Sequence, residues 1–142
     1  MPRKDPVNWQ PIREMPLIAR TIDGALDDTR EHLETLAEAR LRPHVLDDAT
    51  IDRVEQVYAE QMQFVDIYAQ QISRWRTEKP SADQTRELDR MEAQNQQLHA
   101  ATADVLALAS ELRKGTIERV MGMSDLELGL QALLGSRIPN RR

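Results

Sequence analysis

Histidine is the main candidate for metal binding or proton transfer in this chain, which has three histidines and no cysteine. Di-iron helical bundles hold their metal with inward-facing carboxylates and with a glutamate three residues before a histidine. The residue three positions before His32 is Thr29, and the residue three positions before His99 is Gln96. Asp28 lies one turn from His32, but two ligands do not make a zinc centre. The sequence therefore predicts no metal and no cofactor.

Nucleophilic and acid–base catalysis also lack a candidate site. A catalytic serine of the hydrolase type needs a strained strand-to-helix turn, whereas Ser81 and Ser124 each begin a helix-capping pattern. A general acid needs a desolvated carboxyl group in a cleft. The carboxylates here instead recur at the spacing of a solvated helix surface, as in Glu87 with Arg90. We predict that the protein is not an enzyme.

Four polar residues fall where the helical pattern turns side chains inward: Thr29, Gln61, Asn95 and Thr102. Folding the chain about turns near residues 44 and 80 brings Thr29 opposite Gln61, and Val65 opposite Asn95. Such residues can form a hydrogen-bonded layer that fixes the register of the helices. They can also line a polar ligand pocket. We favour the structural layer and keep the pocket as an alternative.

Long amphipathic helices must carry these residues. The clearest heptad pattern lies in the third helix, where inward positions recur at steps of three and four: Leu88, Met91, Asn95, Leu98, Thr102, Val105, Ala109 and Leu112. This spacing is typical of a helix packed along its length against other helices. We predict helices at about 16–41, 48–78 and 82–114. Short connections between them favour an all-α, antiparallel up-down-up bundle, followed by a short C-terminal helical element.

Local signals predict where the helices begin and end. Asp47 or Asp48 can cap the second helix through its carboxylate. Ser81 and Gln84 match a capping box at the start of the third helix. Gly115 is expected to end that helix in a left-handed conformation. The alternative is that the helix continues through Gly115 into the next segment.

The segments outside the bundle differ from it in composition. Residues 1–15 form a proline-rich arm whose apolar Trp9 and Ile12 are expected to pack on the bundle or on a neighbouring subunit. Residues 115–136 predict short helices at about 116–122 and 125–134, and residues 137–142 form a basic tail. One stripe of the last helix is leucine-rich: Leu126, Leu130, Leu133 and Leu134. It either folds back on the bundle, as a cap or a short fourth helix, or contacts a partner or second subunit.

Composition argues against two kinds of partner. The formal net charge is -5, which disfavours non-specific binding to nucleic acid. Nothing in the sequence approaches the about 18 consecutive apolar residues of a membrane span. The first sixteen residues contain four prolines and no apolar signal-peptide core. We expect a cytoplasmic protein without a membrane or nucleic-acid partner.

These features together favour a non-catalytic helical interaction or adaptor protein that self-associates, most simply as a homodimer. One alternative is a helical chaperone or immunity-type protein that captures an amphipathic helix of a partner. Another is a ligand-sensing bundle with a polar pocket at mid-core.

Overall fold

The computed structural model describes residues 7–42 and 46–121 of the 142-residue chain, with side chains as far as residue 115. A short 3-10 turn, Ile12–Glu14, leads into three helices: α1 (Met15–Ala39), α2 (Asp48–Arg76) and α3 (Ala82–Met121). Helices α1 and α2 both pack along α3. The predicted all-α bundle of three long helices is confirmed. The helix predicted at 125–134, with its leucine stripe, and the basic tail at 137–142 lie outside the described residues.

Side-chain caps begin two of the helices as the sequence predicts. The Asp47 carboxylate accepts a hydrogen bond from the backbone N–H of Thr50 at 2.8 Å, and this bond lowers the pKa of Asp47. At the start of α3, the hydroxyl of Ser81 accepts from the N–H of Gln84 at 3.1 Å. The side chain of Gln84 accepts from the N–H of Ser81 in return, at 2.9 Å. The reciprocal capping box is therefore confirmed.

The predicted end of the third helix was wrong. Helix α3 continues through Gly115 to Met121 instead of ending at Lys114, as the alternative prediction has it. Residues 116–121 therefore extend α3 and do not form the separate short helix predicted at 116–122. Gly115 does not adopt a positive φ, so it takes an ordinary helical conformation and does not act as a left-handed cap. Glycine costs a helix about 1 kcal/mol relative to alanine, which weakens α3 here without breaking it. Helices α1 and α2 each end two residues earlier than expected, at Ala39 and Arg76.

The core forms two clusters along α3. The larger lies towards the α2–α3 turn, around Trp75, Leu88 and Met91, which are almost completely buried. The smaller lies towards the α1–α2 connection, around Tyr58 and Val105. Full burial of one large apolar side chain stabilises the folded state by about 1.5–3 kcal/mol. Packing against α3 therefore fixes how α1 and α2 are rotated about their own axes.

Arginine side chains reinforce the helix contacts at the surface. Arg90 of α3 donates two hydrogen bonds to Asp23 of α1, each 3.1 Å long. Gln94 donates a third, at 3.0 Å. The Arg90 bonds, helped by Gln94, hold the pKa of Asp23 below its ordinary value. Two further arginines join α2 to α3: Arg76 pairs with Asp89 and Glu92, and Arg113 pairs with Asp52 and Glu55.

Candidate functional site

Three of the four predicted layer residues meet at mid-bundle, one from each helix. The Nε2 group of Gln61 donates to the hydroxyls of Thr29 at 2.8 Å and Thr102 at 2.9 Å. Each hydroxyl donates in turn to its own helix, Thr29 to the carbonyl of Ala25 and Thr102 to that of Leu98, both at 2.6 Å. Both threonines are fully buried. Because the three side chains pair with one another, the geometry supports the structural interpretation of the layer.

The fourth predicted residue, Asn95, lies apart from that network. Its Nδ2 donates to the backbone carbonyl of Val65 at 3.0 Å, so the predicted pairing of Val65 with Asn95 is confirmed. Its Oδ1 is buried without a hydrogen-bond partner among the described residues. Asn95 lines a groove between α2 and α3, whereas Gln61 lines a groove between α1 and α2. The predicted polar set is therefore divided into the mid-bundle network of Gln61 with the two threonines and the separate Asn95.

His32 joins α1 to α2 through a contact that the sequence did not indicate. Its Nδ1 is in hydrogen-bond contact with the phenol oxygen of Tyr58, and the two rings meet edge to face with centroids 6.0 Å apart. Burial raises the pKa of Tyr58. Among the described residues, no group of three or more histidine, aspartate or glutamate side chains is placed to hold a metal ion.

The described part of the N-terminal arm packs on its own bundle. The indole Nε1 of Trp75 donates to the carbonyl of Gln10 at 2.9 Å, and the N–H of Gln10 donates to the Gln71 side chain at 2.7 Å. The guanidinium of Arg74 lies over the Trp9 ring, 4.2 Å from its centroid. Ile12 packs against the larger core cluster. The sequence predicts that Trp9 and Ile12 pack either on the bundle or on a neighbouring subunit. In the structure, both pack on the bundle.

Apolar side chains are exposed on the side of the bundle where α1 and α2 lie next to each other. Val57 and Phe64 are 43% and 47% exposed, and they border an open groove of about 220 Å³ together with Ala25 and Tyr68. We call these four residues the α1–α2 strip. Three of them, with Gln61, follow α2 at steps of four, three and four. Gln61 and Tyr68 lie at the edge of the inward face of α2, and Val57 and Phe64 extend that face outward to the surface.

The interface residues predicted from the sequence are Trp9, Ile12 and four C-terminal leucines. Val57 and Phe64 of α2 are not among them. The heptad steps of the strip were the available signal. The predicted interface leucines, Leu126, Leu130, Leu133 and Leu134, lie outside the described residues and stay a prediction.

Comparisons with protein-family models, curated proteins and solved structures gave no match. Within the part of the chain that the structure describes, no helix is both long enough and apolar enough to cross a bilayer.

Proposed function

We propose that this protein is a non-catalytic helical interaction protein that self-associates by packing the α1–α2 strips of two copies against each other. The observation that carries the proposal is the exposure of Val57 and Phe64 beside Tyr68 on one side of α2. Single exposed apolar residues are ordinary on a protein surface, whereas adjacent ones form a patch that a partner can cover.

The spacing of the strip suits a second copy of the same chain. Read from either end, the positions Val57, Gln61, Phe64 and Tyr68 follow the steps four, three and four. An antiparallel copy of α2 therefore presents the same pattern in the same register. A two-fold axis between Gln61 and Phe64 places Val57 against Tyr68 of the partner subunit. Such an isologous contact closes at two subunits, which is the commonest assembly of soluble oligomers.

The energetic gain is concentrated in the large side chains of the strip. Full burial of one valine- or phenylalanine-sized side chain contributes about 1.5–3 kcal/mol. Val57 and Phe64 are already more than half buried in a single copy, so each contributes roughly half of that, and a dimer buries each position twice. Association costs several kcal/mol in lost translational and rotational freedom. The strip thus supports a dimer that forms reversibly, with Phe64 as its main contributor.

Light scattering after gel filtration, over a concentration series of the full-length protein, tests this proposal. We expect a dimer for the wild type and a monomer for Phe64→Glu, because the substitution buries a charge in the contact. Leu41→Glu is the matched control, since Leu41 is also exposed but lies two residues beyond the end of α1, outside the strip. This control should remain dimeric, and both variants should keep their helical content.

Two outcomes would overturn the proposal: a wild-type monomer at every concentration, or a Phe64→Glu variant that remains fully dimeric. If the wild type is a monomer, the second candidate function is capture of an amphipathic helix from another protein by the strip. The open groove between two helices favours that function as the next candidate.

A further inference from the structure

A groove of about 440 Å³ lies between α1 and α3, near the end of the bundle where α1 stops. We call it the α1–α3 groove. In its lining, Leu108 is buried and Leu33 is half-buried. Ala37 and Ala107 also line it, and both are exposed. Such small side chains allow another helix to approach α1 and α3 closely.

The two sides of α3 differ at this end of the bundle. On the α2 side, Arg113 of α3 donates to both Asp52 and Glu55 of α2. On the α1 side, the described side chains form a single, longer ion pair, Arg40 with Glu111 at 3.6 Å, and both residues are more than half exposed. A segment that turns back from the end of α3 therefore meets apolar surface on the α1 side and an ion-pair network on the α2 side.

The length of chain that follows α3 suits this groove. Helix α3 ends at Met121, about 15 Å beyond the groove at 1.5 Å per residue. A connection of about two to five residues joins antiparallel helices, and residues 122–124 provide that length. The helix predicted at 125–134 is also about 15 Å long, so it brings Leu133 and Leu134 level with the near end of the groove.

The charges of the groove favour the same placement. The basic tail begins with Arg137, which follows Leu134 by up to about 10 Å in an extended chain and is then level with Asp104. Asp104 lines the groove and forms no ion pair with any described side chain. The other charged residues of the lining, Arg40 and Glu111, balance each other. The groove thus offers an arginine one uncompensated carboxylate, and because such exposed pairs are weak, the leucines must supply most of the affinity.

We propose that residues 125–134 fold back as a short fourth helix whose last turn packs in the α1–α3 groove. There, Leu133 and Leu134 contact the half-buried Leu33. The leucine stripe and the groove then cover each other's apolar surface. This contact lies on a different side of the bundle from the α1–α2 strip, so this proposal and the proposed self-association can each fail without the other.

Cross-linking within the full chain tests the proposal, because the wild type has no cysteine. Ala37→Cys places a thiol in the groove, and Ser136→Cys places one just after the leucine stripe. A short bis-maleimide reagent should bridge these two thiols within one chain. Mass spectrometry distinguishes a chain bridged by one reagent molecule from a chain that carries two, and it separates both from cross-linked dimers.

The matched control combines Ser136→Cys with Ala59→Cys. Ala59 is also exposed, and it lies one turn from Glu55, the residue of α2 that pairs with Arg113 of α3. It is therefore at a similar level of the bundle but on another helix. We expect the control pair to be bridged at least tenfold more slowly than the pair with Ala37→Cys.

Substitution of the leucine stripe tests what holds the segment in place. In the chain with Ala37→Cys and Ser136→Cys, Leu133→Glu should slow bridging about tenfold, the factor that about 1.4 kcal/mol produces, because it puts a charge in the apolar contact. Leu128→Glu should leave the rate unchanged, since Leu128 lies off the stripe. Circular dichroism should show that both variants keep the helical content of the bundle.

Three results would overturn the proposal. The first is the absence of bridging within one chain for the pair with Ala37→Cys. The second is an equal bridging rate for the control pair with Ala59→Cys. The third is an equal effect of Leu133→Glu and Leu128→Glu on the rate.

Discussion

Phe64 and Tyr68 stack on each other along the outer side of α2, with ring centroids 6.4 Å apart and planes inclined by 29°. A spacing of four residues places the two rings on consecutive turns of the same helix face. Tyr68 is partly covered, and burial raises its pKa, whereas Phe64 remains 47% exposed. Because each ring restricts the other, less side-chain entropy is lost when a partner covers the pair. In the proposed dimer, the stack supplies a part of the contact that is already ordered in the single copy.

The network of Gln61 with the two threonines predicts a measurable coupling. Thr102→Val removes one acceptor from Gln61 and should lower the free energy of unfolding by about 1–2 kcal/mol. In a Gln61→Leu background the hydroxyl of Thr102 no longer receives that hydrogen bond. Thr102→Val should therefore lower the free energy of unfolding by less in that background. Urea unfolding of the two single variants and the double variant gives the coupling energy. Strictly additive effects would show that the bond at 2.9 Å does not contribute to stability.

Replacing Asn95 by leucine should leave stability unchanged or raise it by up to about 1 kcal/mol. The substitution removes a buried oxygen that has no partner among the described residues, and this gain offsets the loss of the 3.0 Å bond to Val65. Thermal and urea unfolding measure the difference. A loss of several kcal/mol would mean that the Asn95 amide is better satisfied in the folded protein than the structure indicates.

The N-terminal arm should protect the indole of Trp75. The chain has two tryptophans, so removal of residues 1–11 leaves only Trp75, and Trp9→Phe in the full chain is the matched single-tryptophan reference. Since Trp75 donates to Gln10 and is fully buried, truncation should shift its fluorescence to longer wavelength and lower the Tm. Identical spectra from the two proteins would contradict the observed packing of the arm.

Asp23 predicts a pH-dependent contribution to stability. Its pKa in the folded protein is lowered, chiefly by Arg90, so the folded state binds fewer protons than the unfolded state near that pKa. The contribution is therefore complete above the unfolded value of about 3.9 and is lost as pH falls through the lower folded pKa. Asp23→Asn should cost up to about 1 kcal/mol at neutral pH, because the pair is partly exposed.

The cost of Asp23→Asn should disappear in acid. Urea unfolding at several pH values measures it against Asp27→Asn, an exposed carboxylate of the same helix that forms no ion pair with the described residues. An Asp23→Asn cost that stays constant down to the acid limit would rule out the ion pair as its source.

Local and periodic features of this fold could be predicted from the sequence, whereas details of helix rotation could not. Ser81 and Gln84 predict their own capping box because both partners lie within one turn. The meeting of Thr29 with Gln61 follows from the positions of the turns along antiparallel helices. By contrast, His32 reaches Tyr58 only because α1 is rotated so that these two faces meet, and that rotation depends on packing against α3.

The strip and the end of α3 escaped prediction for related reasons. The periodicity of α2 predicts one inward face, and Val57 and Phe64 lie just outside it on the surface. Whether Gly115 adopts a left-handed conformation depends on the segments around it as well as on its residue type. Single-sequence patterns thus indicate where helices form more reliably than which of their faces remain open.

Cross-linking at the rim of the strip tests self-association through this surface most directly. The chain contains no cysteine, so a single Glu60→Cys places one thiol beside the strip, and Asp104→Cys places one on a different face. With a short bis-maleimide reagent and dilute protein, we predict a covalent dimer for Glu60→Cys and little or none for Asp104→Cys. Equal cross-linking of the two variants would contradict a dimer formed through the α1–α2 strip. So would the absence of cross-linking in Glu60→Cys when light scattering shows that the same protein is a dimer.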